Sequence, residues 1–231
     1  MNKKIYLSPS MQSNNTYACG NTNEMEQCNK IADLTKTFLE KYGFEVKKSP
    51  EGQVMMASIK ESNSWNADLH LTIHTNAFNS QTTGGTLVMI YSSEENNVKA
   101  GNAILNAVSP ISPGKDYSLR VNSSLAELNS TKATAVYLEI EFHDTEEGAK
   151  WIIENTEKIA QAITRGICEY FGVNYNQNTS SQNSSSTVYR VQIGSFKVRA
   201  NAENQLQKAK RLGFIDAFIV EGNLWQTIFQ K

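Results

Sequence analysis

Three stretches of this chain carry residue types that could do chemistry together. The first is Asp68-Leu-His-Leu-Thr-Ile-His74, which alternates strictly. In an extended strand Leu69, Leu71 and Ile73 share one face, while His70, Thr72 and His74 share the other. His74 falls at the carboxyl end, before Thr75-Asn76 takes the chain away. A histidine there can point into a cleft, or it can simply be hydrogen-bonded at a strand end.

The second is Glu24. The segment from Asn23 carries apolar or small residues at Cys28, Ile31, Leu34/Thr35, Phe38 and Tyr42, one stripe at helical spacing. Four places back from Cys28, Glu24 falls on that stripe in the first turn, whereas Glu26 points away. The helix dipole favours a carboxylate at this end. A buried one still needs a partner. A metal ion is one such partner, and a capping role beside Asn23 is the alternative.

The third is Ala135-Val-Tyr-Leu-Glu139-Ile-Glu-Phe-His143-Asp144. Apolar residues flank Glu139, and alternation places Glu139, Glu141 and His143 on one face. Desolvation raises the pKa of an acid in such a strand, which suits general acid–base work. An edge strand with a wet polar face is the other reading. A His, a Glu and a further Glu near strand ends resemble a hydrolytic zinc site. Zinc takes nitrogen and oxygen ligands and in catalysis leaves a position open for water, whose pKa falls to about 7.

The elements that must position these residues alternate in kind. Strand patterns cover 4–8, 44–48, 68–74, 85–91 and 135–142, with helical patterns near 23–42, 53–65, 94–108 and 145–171. This predicts an α/β fold with a mostly parallel sheet flanked by helices. Ligands of such sheets sit beyond the carboxyl ends of the strands, where His74 falls. A polar run, Asn176-Gln-Asn-Thr-Ser-Ser-Gln-Asn-Ser-Ser-Ser-Thr187, has nothing apolar to bury and reads as a tether. It divides the chain into a catalytic domain at 1–175, a linker at 176–187 and a C-terminal module at 188–231.

Composition narrows the function classes. Lys and Arg total 22 against 23 Asp and Glu, a net charge of -1. Nucleic-acid binding needs a clustered positive surface, so no nucleic-acid partner is expected. Hydrophobic residues make up 39%, enough for a core. No apolar run reaches the ~20 residues that span a bilayer, so no membrane partner is expected. Met1-Asn-Lys-Lys-Ile-Tyr-Leu7 lacks the apolar stretch of a signal peptide. The three cysteines, Cys19, Cys28 and Cys168, imply no disulfide framework. A protein made in the cytoplasm is expected.

Residues 5–172 resemble the zinc-dependent N-acetylmuramoyl-L-alanine amidases called type-3 amidases. The resemblance is carried by the helix-start glutamate in Asn23-Glu24-Met25-Glu26, by Leu71-Thr-Ile-His74-Thr-Asn76-Ala, similar to the family's Ser-Ile-His-Ala-Asn, and by Val136-Tyr-Leu-Glu139-Ile-Glu-Phe-His-Asp, similar to its Val-Glu-Ile-Gly-Phe. Asn129-Ser-Thr-Lys-Ala-Thr-Ala135 also fits. The resemblance implies His74 and Glu24 as zinc ligands and Glu139 as the catalytic carboxylate. The reaction implied is hydrolysis of the amide between N-acetylmuramic acid and L-alanine in peptidoglycan. One departure stands out. The family usually opens with Asp-Pro-Gly-His-Gly-Gly, whose His is a third ligand; here Leu7-Ser-Pro-Ser-Met-Gln-Ser13 places Met11 there. Thioether sulfur is a poor zinc ligand. A group within these amidases carries Ser-Pro-Ser-x-Gln at this point, so the carbonyl oxygen of Gln12, or a water, is expected to complete the shell. His143 is the rival, although four residues along a strand is about 13 Å.

The C-terminal module reads as β-α-β, an α+β unit: a strand at 188–196, a helix at 200–212 and a strand at 214–220. Val188-Tyr-Arg-Val-Gln-Ile-Gly-Ser-Phe196 resembles the signature of SPOR domains, which bind peptidoglycan. The unit matches about half of such a domain and is short of core, so pairing of two copies in a homodimer is expected. Together these expectations describe an endolysin of phage or prophage type, released at lysis. A catalytically silent wall-binding protein and a metal-dependent stem-peptide peptidase are the alternatives.

Overall fold

The structure is a computed structural model that describes residues 2–78, 84–176, 193–212, 214 and 219. The chain divides into two compact units, Met1–Asn183 and Ser184–Lys231.

The first unit runs β1 (Lys4–Pro9), α1 (Glu24–Lys41), β2 (Glu45–Lys48), α2 (Met55–Trp65), β3 (Leu69–Asn76), β4 (Leu87–Ile90), α3 (Glu95–Val108), β5 (Ser118–Val121), α4 (Ala126–Asn129), β6 (Thr134–Phe142), α5 (Glu146–Glu154) and α6 (Thr156–Phe171). The strands form one sheet in the order β2-β1-β3-β6-β4-β5. The first four are parallel to one another; β4 runs antiparallel to β6, and β5 is parallel to β4. The expected mostly parallel α/β architecture is the one observed.

The two faces of the sheet differ because β1, β3 and β6 alternate. On one face Ile5, Leu7, Leu69, Leu71, Ile73, Val136, Leu138 and Ile140 are buried and join the core with residues of α1, α3 and α6. Each such side chain contributes roughly 1.5–3 kcal/mol. The other face is polar: Ser8, His70, Thr72 and His74 are also buried. Contacts from Glu61 and Glu127 show that α2 and α4 cover this face.

Helix α1 begins where the sequence places it, with the Asn23 side chain accepting the Glu26 amide at 3.0 Å. The single helix expected over 145–171 is instead two, broken at Asn155. The Asn155 amide closes the last helical bond to Trp151 O at 3.0 Å, and its side chain donates to the same carbonyl at 2.9 Å, a back-bond that bends a helix. Strand β5 and helix α4, four residues each, carry no periodic signal and were not expected.

In the second unit α7 spans Arg199–Arg211, agreeing with the expected helix. Residues 193–196 are in no strand. The rest of the strand expected at 188–196, nearly all of that at 214–220, and the linker beyond Asn176 lie outside the described residues. Among the described residues no helix is long and apolar enough to cross a membrane.

Candidate active site

The carboxyl ends of β1, β3 and β6 meet the start of α1. Parallel pairing sets His74 directly opposite Glu139. The chain leaving β1 stays beside β3, since Ser10 N donates to Ile73 O at 2.9 Å. The turn that follows therefore carries Gln12 to His74. From the opposite side Glu24, 1% exposed, reaches the same point.

These residues meet closely. His74 Nδ1 lies 2.6 Å from Glu24 Oε1 and 3.3 Å from Gln12 Nε2. Its one proton serves Glu24, so the Gln12 approach is a contact rather than a second strong bond. Asn15 ties the cluster together, because its Nδ2 donates to Gln12 Oε1 at 2.8 Å and to Glu24 Oε2 at 2.6 Å. The amide of Thr75 donates to Glu24 Oε1 at 3.3 Å. The ring of His74 stacks on Tyr137 with centroids 4.7 Å apart.

Burial opposes both charges of the Glu24–His74 pair, but their mutual hydrogen bond and attraction win. Glu24 is held below its ordinary range, helped by Asn15, and His74 is held above its own, helped by Glu139. For Glu139 burial wins. Desolvation lifts its carboxyl to about 7, with His74 pulling down and Glu24 pushing up. Its Oε2 is buried without a hydrogen-bond partner. Such an atom is costly and poised to take a proton.

Among the described residues no three His, Cys, Asp or Glu gather as a metal set, and Met11 is 39% exposed. The donors that converge are an imidazole nitrogen, a carboxylate and a primary amide. Imidazole nitrogen and carboxylate oxygen are ordinary zinc donors, and carbonyl oxygen suits a cation. The residues present therefore fit a metal of this kind.

Two other sequence candidates stand apart. A register shift in β6 breaks the alternation expected for Glu139, Glu141 and His143: Glu139 pairs with His74, but Phe142 pairs with Asn76. One extra residue in β6 changes the facing of all that follows. His143 then bonds Thr75, through Oγ1 at 2.9 Å and O at 3.1 Å, rather than joining His74. Glu141 is consumed by structure, accepting from Gly85 N at 2.7 Å, Gly114 N at 3.1 Å, Phe142 N at 2.8 Å and the Ser112 hydroxyl. His70, on the same face as His74, lies fully buried, stacked on Tyr6 and 3.4 Å from Glu127.

Three residues at the site escaped the sequence reading. Asn15 lies in a polar run, and Tyr137 looks like any β-strand aromatic. Glu127 accepts from Ser8 Oγ at 2.5 Å beneath the site. Its one signal was an acid inside Leu125-Ala-Glu127-Leu128.

The N-acetylmuramoyl-L-alanine amidase family model matches residues 5–169, and the SPOR domain model matches residues 174–228. The sporulation-specific N-acetylmuramoyl-L-alanine amidase of Bacillus subtilis (strain 168) is 28% identical over 155 residues, 66% of this chain and 57% of that protein. The chain thus spans little more than half of that relative. Among solved structures, the catalytic domain of CwlV, an N-acetylmuramoyl-L-alanine amidase of Bacillus (Paenibacillus) polymyxa var. colistinus, superposes with a TM-score of 0.67 at 18% identity, covering 74% of this chain and 99% of that one. That likeness shows the fold. The catalytic domain of an endolysin targeting Clostridia difficile superposes with a TM-score of 0.61 at 26% identity, over 75% of this chain and 99% of that one. The chain belongs to the N-acetylmuramoyl-L-alanine amidase family, with a SPOR domain following its amidase domain.

Proposed function

We propose that this protein is a zinc-dependent peptidoglycan hydrolase that cleaves the amide between N-acetylmuramic acid and L-alanine. The observation that carries the reading is Glu139, a carboxylate with a buried, unpartnered oxygen set in register with His74. Glu24, His74 and Gln12 would hold the metal. Bound zinc supplies Lewis-acid polarisation of the amide carbonyl and a water of lowered pKa.

The chain's own groups do the rest. Glu139 takes a proton from the attacking water and returns one to the departing alanine nitrogen, for which a carboxyl near 7 is well matched. Asn15 fixes Gln12 and Glu24 against each other, and Tyr137 fixes the plane of the His74 ring. The likeness to an endolysin catalytic domain supports a role as a phage or prophage lysin acting on the wall at lysis. The C-terminal module at 188–231 would hold the enzyme on peptidoglycan, joined through the Ser/Asn/Gln-rich segment at 176–187 and paired with a second copy.

The test is digestion of purified walls with and without a zinc chelator, followed by identification of new amino termini. Free L-alanine termini that vanish with chelator and return with zinc are the expected result. Termini at another residue would make it a stem-peptide peptidase. Wall binding without new termini would make it a silent binder and would place the cause at Met11.

A further inference from the structure

We infer that His143 and Thr75 are positioning residues for the metal-holding set, acting from the opposite side of β3. The inference rests on the reading of Gln12, Glu24 and His74 given above.

Residues 74 and 75 of β3 face opposite ways. His74 belongs to the catalytic face, and Thr75 points away from it, 3% exposed. The extra residue in β6 brings His143 to Thr75's side. There the Thr75 hydroxyl meets the Tyr17 hydroxyl at 3.1 Å and His143 Nδ1 at 2.9 Å. The rings of Tyr17 and His143 stack, 5.0 Å apart and 6° from parallel. The backbone repeats the connection, since Ala18 N donates to His143 O at 2.9 Å and His143 N to Asn76 O at 2.8 Å.

This cluster is wired to the site by two short routes. Thr75 N donates to Glu24 Oε1 at 3.3 Å. The segment around Tyr17 is also closed on itself: Tyr17 N donates to Thr22 O at 3.0 Å and Glu24 N to Asn15 O at 2.9 Å. Asn15, which grips both Gln12 and Glu24, is thus held at the mouth of a loop whose middle is pinned to His143. Tyr17 and Cys19 seat the loop against the core, and these bonds fix its orientation. Apolar side chains could fill the same buried space without a desolvation cost. What they could not do is orient Thr75 and the loop, and outer hydrogen bonds of this kind tune metal affinity by about 10–100-fold.

The test uses the full chain, measuring zinc affinity by chelator competition and ligand identity by the absorption spectrum of the cobalt(II) form. His143→Leu and Thr75→Val are each expected to weaken zinc about 10–100-fold with the cobalt spectrum unchanged. Together they should weaken it little more than either alone, because they cut one route. His143→Asn and Thr75→Ser, which keep the donor and the hydroxyl, should restore affinity. Tyr17→Phe removes one hydroxyl and leaves the stack, and is expected to weaken zinc several-fold should the harsher variants not fold. Unchanged affinity in Thr75→Val and Tyr17→Phe would overturn the inference. So would a shifted cobalt spectrum in His143→Leu, which would make His143 a ligand. Failure of the unaltered protein to bind zinc would overturn the site reading itself.

Discussion

His74 and Glu139 are register partners on adjacent parallel strands. Neighbouring strands lie about 4.8 Å apart, so the backbone ladder alone sets the spacing between the imidazole and the acid. Geometry held by the sheet should survive loss of the acid's charge. Glu139→Gln is therefore expected to lower kcat about 10²–10⁴-fold while zinc affinity and the circular dichroism spectrum stay close to those of the unaltered protein. Near-full activity in this variant would remove Glu139 from the mechanism.

Gln12 and Asn15 test the proposed third donor. Gln12→Ala should weaken zinc directly. Asn15→Ala, which removes the tie between Gln12 and Glu24, should weaken it about 10–100-fold. Titration against a fluorescent chelator reads both. A Gln12→Ala protein with undiminished zinc affinity would exclude Gln12 as a ligand.

The Glu24–His74 pair gives a pH signature with a definite sign. Burial disfavours both ions, but their hydrogen bond keeps Glu24 below its ordinary 4.5 and His74 above its ordinary 6.5. A raised histidine stabilises the fold below its unfolded value, and that stability is lost as pH rises through the folded value. A depressed carboxylate stabilises above its unfolded value, and that is lost as pH falls through the folded one. Metal-free protein should therefore melt lower as pH rises above 6.5 through the folded value of His74. Zinc, which must displace the His74 proton, should bind more tightly over the same rise. Thermal melts with and without chelator measure the opposed trends, and parallel trends would show that the pair does not govern them.

Glu141 looks equivalent to Glu139 in sequence but serves the backbone. It accepts from Gly85, Gly114 and Phe142 amides and from Ser112. Gly85 and Gly114 cannot be replaced cheaply, because a Cβ on Gly85 would stand 2.1 Å from Asp116 O and one on Gly114 would stand 1.8 Å from Gly84 C. Glu141→Ala leaves these buried donors unmet and should cost at least about 2 kcal/mol of stability. Glu139→Gln should not. Urea denaturation of the two variants makes the comparison.

Pairing through the C-terminal module predicts a dimer for the full chain and a monomer for a chain ended at Asn176. Sedimentation velocity separates them. A folded, monomeric piece of residues 188–231 would argue against pairing.

Much of the fold was legible because burial writes periodicity into sequence. Strict alternation marked β3, the stripe from Cys28 marked α1, and both placed His74 and Glu24 correctly at element ends. Strand β5 and helix α4 left too few residues for any period to show, and the break at Asn155 rests on one side chain's choice of the Trp151 carbonyl. The sequence by itself determined the α/β order, the residue types available for catalysis, and the absence of histidine at position 11. Only the tertiary structure decided which of them meet. Whether Glu139, Glu141 and His143 share a face depends on one extra residue in β6, a register shift invisible to alternation because it arises between strands. Asn15, Tyr137 and Glu127 joined the site through contacts across 9, 63 and 119 residues of chain to Glu24, His74 and Ser8 respectively, and local pattern carries no information at those separations.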